Sequence, residues 1–447
     1  MKKRIFGTDG IRGIVGNEIT FNLVMNLGKA LAHKVCVGPK KGKILIVKDT
    51  RLSSDGLEAA VTAGICSMGS DVIFAGILPT PAACFLIKES NADASISISA
   101  SHNSFEFNGI KIFDKRGFKL NDSLEDELEE IINKASNFRE CQGDKVGVLC
   151  YEKSLMDNYV SHIAKNFKVN TENLKIAVDC ANGSSFICAE KIFSKIGINF
   201  TILNNKPNGK NINDACGSTD LSCLRKFVVE NKYDLGFAYD GDADRCMVVS
   251  ESGDVIDGDN IMAFCAYEMS KENNLAKSCV VGTPMSNLGM IEFLKSKNIN
   301  FVETKVGDRY ISEEIISNGY NFGGEQSGHI IFKDFNQTGD GLLTSIIILN
   351  NLVKNKMKAS EILSMFSKTP QLLINIKLEK EYSENLLVDI RQKFETMIDK
   401  NDKLFIRKSG TESLIRVMIQ SYDKDKLKHI DNFYKKDQSL EFILKNQ

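Results

Sequence analysis

The sequence predicts an α/β protein that ends in a smaller α+β unit, and three observations support that class. Short apolar, β-rich runs alternate with helical stretches: KILIVKD, residues 54–69, then DVIFAGI; later KIAVDCANG, SFICAEKIFSKIG and NFTILN; later still SCVVGTP, NLGMIEFLKSK and NFVETKV. The last segment departs from that rhythm, since LLINIKL, a charged helix, FIRKSGTESLIRVMIQ and a closing helix read as two layers. A chain of 447 residues also exceeds one ordinary core, and it divides into three or four domains at roughly 100–200 residues each.

Thr20 to Val37 reads as an amphipathic helix, because Val24, Leu27, Leu31 and Val35 recur at helical spacing. The run from Lys43 to Asp49 is the next strand, and Ser54 to Gly69 is the helix that leads into DVIFAGI. Ser123 is expected to cap the acidic helix SLEDELEEIINKAS, whose first carboxylates suit the positive end of a helix dipole. Composition shifts after KVGVLCYEK, in ESGD and in SKTPQ set boundaries near residues 152, 252 and 367. The expected units are 1–152, 153–252 and 253–366, all α/β, and 367–447, α+β. No low-complexity tract and no clear sequence repeat is present.

Charged residues make up 26% of the chain and the net charge is -1, which excludes the basic excess of a general nucleic-acid binder. Any phosphate recognition must therefore be local. The longest apolar run, Leu342 to Leu349, falls short of the roughly 18–20 residues that cross a bilayer, so no membrane partner is expected. The opening MKKRIFGTDG lacks the apolar core of a secretory signal, and a cytoplasmic location is expected. The 12 cysteines are scattered without a CxxC pair, which argues against a zinc ribbon or redox motif and for reduced, mostly buried thiols.

Four polar loops carry the candidate chemistry. In YDGDADRC, residues 239–246, Asp240, Asp242 and Asp244 alternate between two apolar runs. Carboxylates that close repel unless a cation joins them, and hard oxygen ligands suit magnesium or calcium. An EF-hand is excluded, because the position where its glycine must turn is Arg245 and the flanks read as strands. A solvated Asx turn is the bland alternative. In ISISASHNSFEFNGIK, residues 96–111, Ser101 stands near His102 and Lys111. No GxSxG elbow occurs in the chain, so hydrolytic triad chemistry is not expected. A phosphoryl group on Ser101 would add close to two negative charges and three acceptor oxygens, which would explain a cation site and a lysine nearby. Read alone, SASHN is an ordinary turn.

The third loop, FGGEQSGHIIF at 322–332, offers Glu325 and Ser327 to vicinal hydroxyls and His329 to proton transfer near neutral pH, although a lone histidine is more often structural. In the fourth, IRKSGTESLIR at 406–416, Arg407, Ser409, Gly410 and Thr411 supply the guanidinium fork, hydroxyls and backbone N–H groups of a phosphate cradle. It is not a Walker loop, and GPKKGKI at 38–44 has the wrong glycine spacing for one.

Together, FGTDGIRG (6–13), ISASHNSFEFNGIK (98–111), DGDADR (240–245), GGEQSGH (323–329) and RKSGTES (407–413) stand in the order found in the α-D-phosphohexomutases. The chain resembles that family from end to end. FGTDGIRG, GDRY at 307–310 and GEQSGH resemble the branch acting on glucosamine phosphates; the branch acting on mannose and glucose phosphates usually has methionine where Gln326 stands. The resemblance implies four domains around a central cleft, three related α/β units and a smaller α+β unit. It also implies that Ser101 is phosphorylated in the active enzyme and, with Asp240, Asp242 and Asp244, holds one Mg²⁺ per chain. Arg245 then contacts the phosphoserine, Arg12, His102 and Lys111 line the catalytic centre, Glu325, Ser327 and His329 read the sugar, and Arg407, Ser409, Gly410 and Thr411 bind phosphate.

The implied reaction interconverts glucosamine 6-phosphate and glucosamine 1-phosphate through a 1,6-bisphosphate, on the cytosolic route to UDP-N-acetylglucosamine. Lys111, Arg12 or His329 takes the sugar hydroxyl proton. The expected partners are a phosphosugar and, from the resemblance, a second copy in a homodimer; no nucleic acid is expected. Where the family commonly has proline, this chain has Ser104, Lys408 and Ser413, which removes φ restraints from two of the loops. The alternatives are a mutase of mannose or glucose phosphates and, more remotely, a catalytically silent phosphosugar sensor.

Overall fold

The computed structural model of the chain describes residues 4–7, 9–35, 41–134, 138–165, 174–377, 384–408 and 414–436. The first sheet runs, edge to edge, Ile11–Ile14, Phe107–Asp114, Ala94–Ile98, Lys43–Lys48, Asp71–Ile77 and Leu149–Tyr151. The second runs Val255–Ile256, Cys246–Ser250, Leu235–Tyr239, Lys175–Asp179 and Asn199–Leu203. The third runs Ile330–Phe332, Phe322–Gly324, Cys279–Gly282 and Asn300–Glu303.

These three sheets share one plan. A central strand pairs in parallel with a neighbour on each side: Lys43–Lys48, Lys175–Asp179 and Cys279–Gly282. The chain then turns back antiparallel, through Phe107–Asp114, Cys246–Ser250 and Ile330–Phe332. Each reversal falls at the carboxyl end of the last parallel strand. That is where open α/β sheets place their ligand sites, because strand ends and helix starts leave unpaired backbone groups there. The Ser101, Asp240 and Glu325 loops are these three reversals. The repeat absent from the sequence is present in the strand order.

Burial explains the strand compositions. The parallel strands have both faces covered, so Ala94–Ile98, Leu235–Tyr239 and Cys279–Gly282 are buried throughout. The last sheet, Gln371–Lys377, Leu414–Gln420 and Lys403–Lys408, is antiparallel. Helices Glu384–Glu395 and Lys424–Lys436 pack on one of its faces, and Leu373 to Lys377 accordingly alternate exposed and buried. The α+β expectation for this segment holds.

The first helix spans Phe21–Val35, inside the expected range, and the next spans Ser54–Ser67. The acidic helix spans Asp122–Asn133, and its cap is Asn121 rather than Ser123. The Asn121 side chain accepts from the N–H of Leu124, and the helix therefore begins before Ser123. Asn121 and Ser123 are both good cap formers two residues apart, and the earlier one also lets Asp122 and Glu125 sit in the first turn.

Helix Gly341–Asn355 carries the apolar run noted at Leu342 to Leu349, and nearly all of it is buried. Asp340 caps it, accepting from Leu343 N–H at 3.0 Å and from the Tyr159 hydroxyl. Its first residue touches the aspartate loop: Gly341 N donates to Ala243 O at 2.9 Å, and a Cβ at Gly341 would lie 2.4 Å from Arg245 O. No helix among the described residues is long and apolar enough to cross a membrane. Asn121→Ala is expected to cost about 1 kcal/mol of stability, and Ser123→Ala less than about 0.5 kcal/mol. Urea midpoints of the two variants check this, and an equal or larger loss in Ser123→Ala would return the cap to that residue.

Candidate active site

The Ser101 loop and the aspartate loop meet at one hydrogen bond. Ser101 is buried in a left-handed conformation, φ 53, and its Oγ donates to Asp240 Oδ2 at 2.5 Å. A serine in that conformation costs about 1–3 kcal/mol, and it persists only where its surroundings impose it. His102 Nδ1 lies 3.4 Å from the same oxygen. Burial, then Arg245 and Arg12, press the His102 pKa down to about 4, so this imidazole is neutral at neutral pH.

Asp240, Asp242 and Asp244 are all buried, with ligand oxygens within 4.8 Å of one another. Burial and the two neighbouring carboxylates push Asp240 up to about 8. Asp242 and Asp244 are compensated differently, because Lys111 Nζ lies 2.8 Å from one and 3.0 Å from the other. Thr80 Oγ1 also donates to Asp242, at 2.6 Å. Although burial alone would lower it, the Lys111 pKa is held well above the ordinary lysine value by Asp242, Asp244 and Asp9.

Lys111 belongs to a closed ring of charges. It lies 3.3 Å from Asp9; Lys119 bridges Asp9 and Asp308; His329 then returns from Asp308, 3.4 Å from Nε2, to Asp244, 3.7 Å from Nδ1. Around it carboxylates alternate with Lys111, Lys119 and the His329 imidazole, an arrangement in which the two lysines offset most of the buried negative charge. The two carboxylates push the His329 pKa up against burial. The Gly339 N–H, however, donates to Nε2 at 3.1 Å, and this bond keeps that nitrogen unprotonated and the proton on Nδ1, toward Asp244.

The donor set fits a small hard cation. Asp242 Oδ1 and Asp244 Oδ1 are buried without a hydrogen-bond partner, and the three carboxylates supply oxygen ligands of the kind magnesium takes.

The Glu325 loop is sewn to the aspartate loop. Arg245 and His329 form a backbone bridge, and Cys246 N–H donates to Gly328 O at 3.0 Å. Gln326 is fixed from below, its carbonyl accepting from Gly258 N–H and its amide donating to Asp259 at 3.0 Å. Glu325 is half-buried, and burial raises its pKa; Ser327 is exposed. Arg12 pairs with Asp9 at 2.7 Å and with Asn103 at 3.2 Å. Arg245 Nε and Arg407 Nε are buried without hydrogen-bond partners. Burial and Arg416 lower the Arg407 pKa while Glu325 raises it, so the guanidinium of the last sheet lies within electrostatic reach of the third loop.

Ser101, His102, Lys111, Asp240, Asp242, Asp244, Arg245 and His329 are thus brought together, with Arg12, Glu325 and Arg407 around them. Ser409, Gly410 and Thr411 lie outside the described residues. Sequence reasoning missed Asp9, Lys119 and Asp308. Two of them stood in motifs already singled out, FGTDGIRG and GDRY, as acids beside glycine; Lys119 carried no signal. It also missed Thr80 and Arg51.

Models of the phosphoglucomutase/phosphomannomutase family match the chain as its α/β/α domain I at residues 3–139, domain II at 157–253, domain III at 257–369 and C-terminal domain at 352–435. A solved phosphoglucomutase/phosphomannomutase family protein from Burkholderia thailandensis superposes with a TM-score of 0.83 at 23% identity, over 99% of this chain and 98% of that one. The chain belongs to this family, the phosphohexomutases, enzymes that move a phosphoryl group between positions of a sugar. Two relatives narrow the branch. The phosphoglucosamine mutase of Ruminiclostridium cellulolyticum is 44% identical over 94% of this chain and 96% of its own length, and that of Clostridium acetobutylicum is 44% identical over 95% and 96%. The branch is that of the phosphoglucosamine mutases.

Lys111→Met is expected to destabilise the protein by about 3–5 kcal/mol in EDTA, because it leaves buried carboxylates uncompensated. Millimolar Mg²⁺ should then raise the unfolding temperature of the variant by more than it raises that of wild type. Paired thermal scans read both effects, and a smaller Mg²⁺ response in the variant would show that the lysine is not a counter-ion of the triad.

Proposed function

We propose that the enzyme interconverts glucosamine 6-phosphate and glucosamine 1-phosphate, using Ser101 as the phosphoryl carrier. The observation that supports this most directly is the Ser101 hydroxyl, buried and 2.5 Å from Asp240 at the edge of an acidic triad. A serine so placed is shielded from water, and its oxygen faces the donor set of a divalent cation.

In the first half-reaction the P–Oγ bond of phosphorylated Ser101 breaks as a P–O bond forms to the C1 oxygen of glucosamine 6-phosphate. Of the three expected acceptors of the hydroxyl proton, Lys111 is already held protonated by Asp242, Asp244 and Asp9, which leaves Arg12 and His329. In the second, Ser101 Oγ attacks the phosphorus at C6 of the 1,6-bisphosphate, O6 takes up a proton, and glucosamine 1-phosphate leaves. Asp240, Asp242 and Asp244, together with the phosphoserine, would hold Mg²⁺. When bound, that ion supplies Lewis-acid stabilisation of phosphoryl charge.

The chain's own residues supply positioning and charge. Arg245, beside Asp240 and Asp244, faces the phosphoryl oxygens, and neutral His102 adds no further positive charge next to Oγ. Glu325 accepts hydrogen bonds from sugar hydroxyls, with Ser327 exposed beside it. Arg407, with Ser409, Gly410 and Thr411, holds whichever phosphate is not reacting. Because the bisphosphate must present both ends in turn, that cradle reads phosphate and little else.

The test is an assay of wild type and Ser101→Ala on glucosamine, glucose and mannose 6-phosphates, with phosphosite mapping of the purified protein. Phosphate on Ser101, a preference for glucosamine 6-phosphate and a loss of at least about 10³-fold in Ser101→Ala are expected. Retained activity in Ser101→Ala would remove the carrier, and a preference for mannose 6-phosphate would move the chain to the neighbouring specificity.

A further inference from the structure

The Ser101 loop is gripped by its carbonyl oxygens, and one grip comes from the second sheet's side. Asn213 Nδ2 donates to Ser101 O at 2.8 Å and to Asn103 O at 3.0 Å. Arg51 Nη2 reaches the same two carbonyls, at 3.0 and 2.8 Å, and Arg51 Nη1 holds those of Ser104 and Phe107. Arg51 is itself fixed by Asp49, 2.8 Å from Nε, and Asp49 also accepts from Ser99 Oγ at 2.6 Å.

Asn213 is set by its surroundings as firmly as it sets the loop. Its backbone is left-handed, φ 58, and its N–H donates to Ala181 O at 2.9 Å. Its Oδ1 is buried without a hydrogen-bond partner, so the two carbonyls orient the amide. Gly241 of the aspartate loop leaves the room for this approach: a Cβ there would lie 2.6 Å from Ser101 O and 3.0 Å from Asn213 Nδ2.

We propose that Asn213 is a positioning residue which, with Arg51, clamps the Ser101 carbonyl and thereby aims the Ser101 hydroxyl at Asp240. The inference rests on Ser101 being the phosphoryl carrier. A carbonyl held by two donors, each of which also holds the Asn103 carbonyl, is restrained from swinging, and the Cα–Cβ bond of the same residue is then fixed in direction. Phosphoryl transfer depends on placing the attacking oxygen in line, and an error of about 1 Å can cost on the order of 10²-fold. The sugar and its non-reacting phosphate are held by the Glu325 loop and Arg407, which the clamp does not touch. The clamp therefore acts on turnover and leaves substrate affinity alone. It also explains how a loop without proline at position 104 keeps its shape.

The test uses the full chain carrying Asn213→Gly, because glycine takes the left-handed backbone without strain and loses only the amide. Asn213→Asp is a near-isosteric second variant that turns a donor into an acceptor facing two carbonyl oxygens. Expected are a fall in kcat of about 10- to 100-fold in both, with KM for glucosamine 6-phosphate within about twofold of wild type. Backbone hydrogen exchange of residues 99–104 is expected to quicken in both variants while the rest of the chain is unchanged. That exchange reports the clamp whether or not Ser101 carries phosphate, and wild-type turnover with phosphosite mapping tests the carrier separately. Wild-type kcat in either variant, unchanged exchange in the loop, or a fall in turnover that merely tracks the folded fraction would each overturn the clamp.

Discussion

Buried charge is the constraint around which this molecule is organised. Asp240, Asp242, Asp244, Asp9 and Asp308 are brought into one place, and carboxylates that close destabilise a fold unless cations separate them. Lys111 and Lys119 do so from the first sheet's unit, with His329 closing the ring from the third. The ring draws on residues attached to three sheets, so assembling the site and docking the domains are the same event. A buried network of this kind contributes little to stability beyond what it costs to desolvate. It does fix which surfaces meet, because any other docking would leave a charge unpaired.

The architecture supplies the loops that feed this centre. Each of the first three sheets turns from parallel to antiparallel at the same place in its strand order, and the three turns meet through Ser101–Asp240 and Arg245–His329. Three copies of one plan therefore deliver three different loops, carrying Ser101, the three aspartates and Glu325, with no change in the scaffold that presents them. The short backbone link from Cys246 to Gly328 then locks the aspartate loop to the Glu325 loop, and the link from Gly341 to Ala243 ties it to the helix Gly341–Asn355.

Much of the site could be read from sequence, for a physical reason. Polar residues clustered at the end of an apolar strand are conspicuous, and Ser101, the three aspartates and the GEQSGH loop all sit in that setting. The ring was not legible, because Lys119 stands 110 residues from Asp9 and 189 from Asp308, and a pair so distant leaves no local pattern. The internal repeat escaped for a related reason: it resides in hydrogen-bond order, and buried apolar residues exchange freely while that order is kept. The cap at Asn121 was misassigned to Ser123, since propensity ranks both residues highly and only the side-chain bond to Leu124 separates them.

The left-handed backbone at Ser101 has a consequence for which amino acid can stand there. Threonine offers the same hydroxyl oxygen, but its branched Cβ crowds the main chain at positive φ far more than serine does. Threonine is barred from this position by the shape of the peptide rather than by anything in the chemistry of esters. The geometry that points the oxygen inward has also chosen the alcohol.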